Sequence, residues 1–156
     1  MTHTFEAHTE DEMIEVGRQL ARLLPPRAAV ILTGDLGTGK TTLSKGITAE
    51  RTGLDPDEVS SPTFTLIHEY GHPPRVYHID LYRLEADAEV WGLGLDELFD
   101  RKALVLIEWG ERFEKLYGVP LWRVEISATL PSPRTSPRRV TCTSPAPSPA
   151  APSSLG

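Results

Sequence analysis

The sequence predicts an α/β fold in which helices flank a mixed, mainly parallel sheet that includes some antiparallel strands. Two apolar runs, AAVILT and ALVLIE, each lead through a short turn into a segment that suits a helix. Two alternating runs on either side of GHPP suit an antiparallel hairpin. A length of 156 residues is the usual size of one domain, so we expect a single hydrophobic core.

The first half of the chain is predicted as strand, helix, strand and helix. THTFEA suits a short strand, and the next segment has apolar residues at helical spacing from Met13 to Leu24. Thr9 and Glu12 form a capping-box signature at the start of that helix. AAVILT has the composition of a strand covered on both faces, and TTLSKGITAER predicts the next helix, which ends at Gly53.

The second half is predicted as a hairpin followed by alternating short helices and strands. TFTLIHEY and RVYHIDLYRL are the hairpin strands, and EADAEVWGLGLDELFD suits one or two short helices broken at Gly92 and Gly94. ALVLIEWG predicts a buried strand and ERFEKLY a short helix. LWRVEIS and RRVTCTS are two late strands that could pair with each other.

The turn GDLGTGKTT matches the pattern G-x-x-x-x-G-K-[ST] through Gly34, Gly39, Lys40 and Thr41. Its glycines let successive backbone N–H groups face one cavity, and the following helix adds its positive N-terminal end. Lys40 would reach the phosphates, the Thr41 hydroxyl would bind Mg²⁺, and Thr42 could add a hydroxyl contact. A chance glycine turn is the alternative, but average residue usage gives such a match in roughly one chain in a hundred. The sequence therefore predicts a P-loop NTPase domain.

Two acidic residues follow strand-like runs, where phosphoryl transfer needs a carboxylate near the metal. Glu108 ends ALVLIE and Asp80 ends RVYHID. Each could instead be a solvated acid at a strand end. We favour the metal-site role, above all for Glu108, because a carboxylate that adjoins a buried strand needs partners.

Three further features have open interpretations. The hydroxyl-rich SSPTFT, residues 60–65, suits a nucleotide switch or an ordinary loop. Trp109 could contact nucleotide or a partner, although packing is the commoner role of a tryptophan at a strand end. His68, His72 and His78 are close in sequence, but two prolines interrupt any regular spacing, so we do not expect a metal cluster there.

Charge and cysteine content limit the class of protein. All 22 acidic residues but only 13 of the 16 basic ones lie in residues 1–130, so this part is strongly acidic. It should repel a phosphate backbone, and a nucleic-acid role is expected to run through a partner. Cys142 is the single cysteine, which excludes an internal disulfide. With neither a signal peptide nor a long apolar segment, we expect a cytoplasmic protein.

The blocks GDLGTGKTT, SSPTFTLIHEY, YHIDLYRL and LIEWGER occur in that order, and with them the chain resembles the TsaE (formerly YjeE) family of bacterial P-loop ATPases. The resemblance runs from about Thr9 to Ser127. It implies a Mg²⁺-dependent ATPase of the threonylcarbamoyladenosine (t6A) modification of tRNA. Because the sequence has no obvious arginine finger, we expect its activity alone to be low. The resemblance also implies TsaD and TsaB as partners, whose turnover ATP hydrolysis would support, and contact with tRNA only through that complex.

The same resemblance implies the site residues and the cofactors, ATP or ADP and Mg²⁺. Lys40, Asp80 and Glu108 would be catalytic, and Thr41 and Glu108 would bind the metal. The residues expected to contact the nucleotide are Thr9, Glu10, Gly37, Thr38, Gly39, Lys40, Thr41, Thr42 and Trp109. No obvious arginine finger is present, and Arg83 and Arg112 are candidates.

The expected P-loop ATPase domain covers residues 1–130, a final strand region covers 131–143, and a Pro/Ser/Ala-rich tail covers 144–156. The tail has too few apolar residues to offset its ordering entropy, so we expect it to be disordered. Two other functions are compatible with the motif. One is a non-hydrolysing switch whose nucleotide state governs docking to a partner. The other is a small-molecule kinase, although no basic lid is visible.

Overall fold

A computed structural model describes residues 1–34, 39–60, 66–128 and 137–146 of the chain. The strands in this part are β1 (Thr2–Ala7), β2 (Ala28–Thr33), β3 (Ile67–Tyr70), β4 (Val76–Asp80), β5 (Leu104–Glu108), β6 (Leu121–Ala128) and β7 (Arg138–Thr143). The α-helices are α1 (Glu10–Leu23), α2 (Lys40–Thr52), α3 (Asp87–Trp91) and α4 (Leu95–Phe99). Short 3₁₀ turns occupy Pro56–Glu58 and Glu111–Leu116.

The described strands form one sheet in the order β1-β7-β6-β2-β5-β4-β3. Strands β6, β2, β5 and β4 are parallel to one another, and the antiparallel pairs lie towards the two edges. The mixed sheet, the β3–β4 hairpin and the β6–β7 pairing confirm the predictions. Parallel central strands are buried on both faces, as the apolar run of β2 indicates.

Two apolar layers cover the sheet because successive side chains of a strand point to opposite faces. On one face, β2 and β5 contribute Val30, Leu32, Leu104 and Leu106 to a core shared with α1 and α2. On the other face, alternate residues of the same strands pack against Phe99 and its neighbours. Even-numbered residues of β4 and β5 therefore face the helix that begins at Lys40.

Helices α1 and α2 pack with their backbones almost in contact. A Cβ on Gly46 would lie 2.9 Å from the Ile14 carbonyl carbon and 3.1 Å from Gly17 Cα. Arg51 of α2 donates hydrogen bonds to the carbonyls of Ala21 and Leu24 at the end of α1. These contacts fix the two helices to each other, and with them the position of Lys40 at the start of α2.

Three local details differ from the sequence prediction. The second hairpin strand ends at Asp80, because the Asp80 carboxylate accepts a hydrogen bond from Tyr82 N and turns the chain. Thr9 caps α1 as predicted, but the Glu12 carboxylate accepts from His8 N instead of Thr9 N. ERFEKLY forms 3₁₀ turns rather than an α-helix.

None of the described helices has the length and apolar character needed to cross a bilayer. Residues 129–136 and 147–156 lie outside the described part of the chain. The predicted division at residues 130 and 143, and the disorder of the tail, therefore stay predictions.

Candidate functional site

The start of α2 is built to accept an anion. Its N-cap, Gly39, has a φ of 109°, in the left-handed region that favours glycine, and provides no side-chain cap. The free N–H groups of the first turn and the positive end of the helix dipole therefore face out of the N-terminal end of α2. Gly37 and Thr38, two of the expected phosphate contacts, lie outside the described residues.

Lys40, the first residue of α2, is held against an aromatic ring. It is only 7% exposed, and its Nζ lies 3.9 Å from the centre of the Trp109 ring. Such a cation–π contact stabilises a partly desolvated ammonium group. The Tyr82 ring lies beside the same tryptophan, with 5.0 Å between the ring centroids. Trp109, which the family resemblance predicts as a nucleotide contact, therefore lies beside Lys40. Tyr82, which was not predicted, belongs to the same cluster.

The backbone after β5 places this tryptophan. Trp109 has a φ of 60°, which a bulky residue adopts only when its surroundings hold it there. Gly110 follows it, and a Cβ at that position would lie 2.8 Å from the Tyr117 hydroxyl. A side chain at position 110 would therefore displace Ile107 and Tyr117, so glycine allows the chain after Trp109 to pack against these residues.

Asp80 and Glu108 lie side by side at the ends of parallel strands. They are register partners of β4 and β5, and both face the side of the sheet on which α2 packs. The pKa of Asp80 is raised, chiefly by burial and also by the Glu108 charge, whereas the Tyr82 N–H and the Lys40 ammonium act to lower it. Two sequence-predicted acids and the P-loop lysine are thus close enough to influence one another.

Glu108 is 4% exposed, and its Oε2 lies 2.5 Å from Nε2 of His78. A buried carboxylate of this kind needs a hydrogen-bond donor, which the imidazole provides. This contact was not predicted from the sequence, where His78 is notable only for its closeness to two other histidines. In the structure, His68 contacts the Tyr70 hydroxyl and His72 is exposed.

The residues at this site suit Mg²⁺. Glu108 and Asp80 carry carboxylate oxygens and Thr41 a hydroxyl, which are the hard oxygen ligands that this ion prefers. No group of three His, Cys, Asp or Glu side chains in the described part of the chain could hold a metal alone. Mg²⁺ commonly takes one or two protein ligands and completes its shell with phosphates and water.

The first helix approaches the same site from the other side. Met13 of α1 lies against Gly39, since a Cβ on that glycine would be 3.2 Å from Met13 Cε. Thr9 and Glu10 are exposed at the start of this helix, and Thr9 Oγ1 is engaged by Glu12 N. Their contact with the base or ribose stays a prediction, as does the contact of Thr42, which is half-buried in the first turn of α2.

The two arginine candidates lie near the loop after β4. Arg112 donates to the carbonyls of Leu81, at 3.1 Å, and Leu84, at 2.8 Å. It therefore holds this loop in the fold. Arg83 is exposed on the loop itself.

Of the segment 60–65, only Ser60 is described. Its N–H donates to the Tyr70 hydroxyl, and that hydroxyl donates to the Ser60 carbonyl. On the other side of the segment, the Leu66 carbonyl accepts from Asp80 N. The two flanks are thus hydrogen-bonded to Tyr70 of β3 and to Asp80, the last residue of β4. The predicted switch behaviour concerns residues that are not described.

A cavity of about 210 Å³ lies away from this chemistry. It is lined by residues at the opposite ends of the central strands, among them Ala28, Ala103 and Trp122. None of the predicted site residues lines it.

A family model and individual relatives of the chain indicate the same protein family. A model of the family described as threonylcarbamoyl adenosine biosynthesis protein TsaE matches residues 7–136. The tRNA threonylcarbamoyladenosine biosynthesis protein TsaE of Bacillus subtilis is 42% identical over 118 residues, which are 74% of this chain and 70% of that protein. The Rickettsia bellii protein of the same name is 38% identical over 120 residues, 76% of this chain and 82% of its own.

A solved structure agrees with this result. The crystal structure of YdiB from Bacillus subtilis matches with a TM-score of 0.71 and 26% sequence identity, and covers 94% of this chain and 87% of YdiB. The family model extends over most of the chain, through the P-loop, Asp80 and Glu108. The chain therefore belongs to the TsaE family of proteins of tRNA threonylcarbamoyladenosine biosynthesis.

Proposed function

We propose that the protein is a Mg²⁺-dependent ATPase that supports the TsaD–TsaB transferase complex in the t6A modification of tRNA. One observation carries the ATPase part of the proposal. The uncapped start of α2 and the buried ammonium of Lys40 lie on the same side of the sheet as two neighbouring carboxylates, Asp80 and Glu108. Phosphate and magnesium require such an arrangement of N–H groups, one cation and oxygen ligands.

Each of these residues has a distinct role in the proposed hydrolysis of ATP. When bound, Mg²⁺ and ATP supply a γ-phosphoryl group that water can accept. Backbone N–H groups at the start of α2 and the Lys40 ammonium donate to the phosphate oxygens. The Thr41 hydroxyl and the Glu108 carboxylate would hold the metal. Asp80, whose pKa burial raises, is suited to take the proton of the attacking water.

The partner part of the proposal rests on the family and on charge. The acidic residues 1–130 disfavour direct binding of tRNA, so the nucleic acid is left to TsaD and TsaB. Arg112 is engaged by backbone carbonyls of the fold. This supports low activity of the protein alone and stimulation within the complex. The proposed place of action is the cytoplasm.

The test is ATP turnover by the purified protein with and without TsaD and TsaB. We expect slow hydrolysis that requires Mg²⁺ and rises when both partners are added. Hydrolysis at full rate without any response to the partners would contradict the partner-dependent role. Absence of ATP and ADP binding in calorimetry with Mg²⁺ would contradict the nucleotide site itself.

A paired substitution separates the ATPase from a non-hydrolysing switch. Lys40→Ala should remove nucleotide binding, whereas Glu108→Gln should allow binding and stop turnover. An ATPase loses its support of t6A formation in both variants. A switch loses it only in Lys40→Ala, because occupancy without hydrolysis would be sufficient.

A further inference from the structure

His78 is a fully buried imidazole in β4, between the apolar residues at the start of that strand and Asp80 at its end. It is 0% exposed, and the residues around it in β4, Val76, Tyr77 and Ile79, are buried as well. Packing alone does not explain this residue, because a polar ring without full hydrogen bonding is less favourable in such a place than an apolar side chain. His78 has no role in the ATPase mechanism proposed above.

The register of the sheet aims the ring at the metal-site carboxylate. Asp80 pairs with Glu108 across the parallel strands, and His78 pairs with Leu106, one step deeper in the sheet. All four side chains lie on the face that α2 covers. His78 therefore lies directly behind Glu108 as seen from the open end of the site, and its Nε2 reaches Oε2 at 2.5 Å.

The second ring nitrogen defines the form of the imidazole. Nδ1 is buried and has no hydrogen-bond partner among the residues that the structure describes. A neutral ring with its proton on Nε2 fits both nitrogens, because the N–H faces the carboxylate and only a bare lone pair faces apolar side chains. The histidine then donates one strong hydrogen bond and leaves the negative charge on Glu108.

We propose that His78 is a positioning residue that holds Glu108 by Oε2 and thereby presents Oε1 to Mg²⁺. The inference rests on the proposed nucleotide function and adds a residue to it. Hydrogen bonds to a metal-binding carboxylate fix its orientation, and their loss commonly weakens metal affinity by about 10- to 100-fold. His78 itself would touch neither the metal nor the nucleotide.

Three substitutions separate this role from simple packing. In His78→Gln the amide nitrogen reaches about as far as Nε2, so the hydrogen bond to Glu108 can form. In His78→Asn the amide nitrogen corresponds to Nδ1, so a similar polar group is present without that bond. His78→Leu fills the space with an apolar side chain and has no donor.

The measurement is ADP binding by calorimetry, once with saturating Mg²⁺ and once with EDTA, together with the Mg²⁺ concentration that half-saturates ATP turnover. We expect the gain in ADP affinity from Mg²⁺ to fall by about 10- to 100-fold in the Asn and Leu variants. Affinity in EDTA should stay at the wild-type level in all variants, because the α2 N-terminus and Lys40 bind the phosphates. The Gln variant should retain most of the Mg²⁺ effect.

Equal Mg²⁺ dependence in the wild-type protein and the Asn and Leu variants would overturn the role of His78. Equal losses in the Gln and Asn variants would also overturn it, since only the position of the donor distinguishes them. Should the Leu variant fail to fold, the Gln and Asn pair decides the question. Failure of the proposed function is a separate result, because the wild-type protein itself would then bind no Mg²⁺ with ADP.

Discussion

Replacement of Gly46 by alanine tests whether the close approach of α1 and α2 controls the stability of the fold. The added Cβ would overlap the Ile14 carbonyl oxygen, its nearest neighbour, and would lie 2.9 Å from the carbon of that carbonyl, about 0.5 Å inside the 3.4 Å at which ordinary contact begins. Both this atom and Gly17 Cα, at 3.1 Å, belong to the backbone. No side-chain rotation can relieve the overlap, so the two helices must move apart.

The expected cost follows from two opposing effects. Overpacking of a core costs about 1–3 kcal/mol, and the upper end applies because two backbones are in contact. Alanine is a better helix former than glycine by about 1 kcal/mol. The net loss in free energy of unfolding for Gly46→Ala is therefore about 2 kcal/mol. For a domain of this size, that loss corresponds to a Tm lower by roughly 4–8 °C.

Thermal and urea unfolding followed by circular dichroism measure this loss, with Gly92→Ala as the matched control. Gly92 has a right-handed φ of −69°, and a Cβ there would lie 3.5 Å from its nearest neighbour. The control should change stability by no more than about 0.5 kcal/mol. If Gly46→Ala were as stable as the wild-type protein or more stable, helix propensity would outweigh the contact and the reasoning would be wrong.

Three other predictions concern the site and its support. In a variant whose other two tryptophans are replaced by phenylalanine, ADP with Mg²⁺ should change the fluorescence of Trp109. The reason is that the Lys40 ammonium, 3.9 Å from the centre of this ring, must leave it to reach phosphate. An unchanged spectrum at saturating ADP would contradict this movement. Asp80→Asn should raise stability near neutral pH, because burial raises the pKa of the carboxyl and so penalises its charged form. The gain in stability should shrink as the pH falls through the folded-state pKa of Asp80 and vanish below the unperturbed value of 3.8. A gain in stability that is independent of pH would contradict an effect of the carboxylate charge. Arg51→Met should lower the free energy of unfolding by about 1.5–3 kcal/mol, because the guanidinium donates to carbonyls at the end of α1. Denaturant unfolding measures this loss. An unchanged unfolding midpoint would contradict a capping role for Arg51.

Local patterns in the sequence predicted most of the elements because each depends on neighbouring residues. Thr9 caps α1 through Glu12 N, three residues away, and Gly53 ends α2 with a φ of 79°. The turn before Lys40 could be identified for the same reason, since glycine is required where the backbone is left-handed. Boundaries were less certain, as the end of β4 at Asp80 shows, because a side-chain hydrogen bond decided it.

The sequence by itself thus determined the strand–turn–helix order, the P-loop motif and the two strand-end acids, since all of these are short-range patterns. Only the tertiary structure decided which distant groups meet. Glu108 and His78 are 30 residues apart, and their contact depends on the parallel register of β4 and β5. Lys40, the first residue of α2, contacts Trp109, the residue directly after β5, because α2 packs on the sheet close to the end of that strand. Such contacts result from the packing of whole elements, and no local spacing in the chain encodes them.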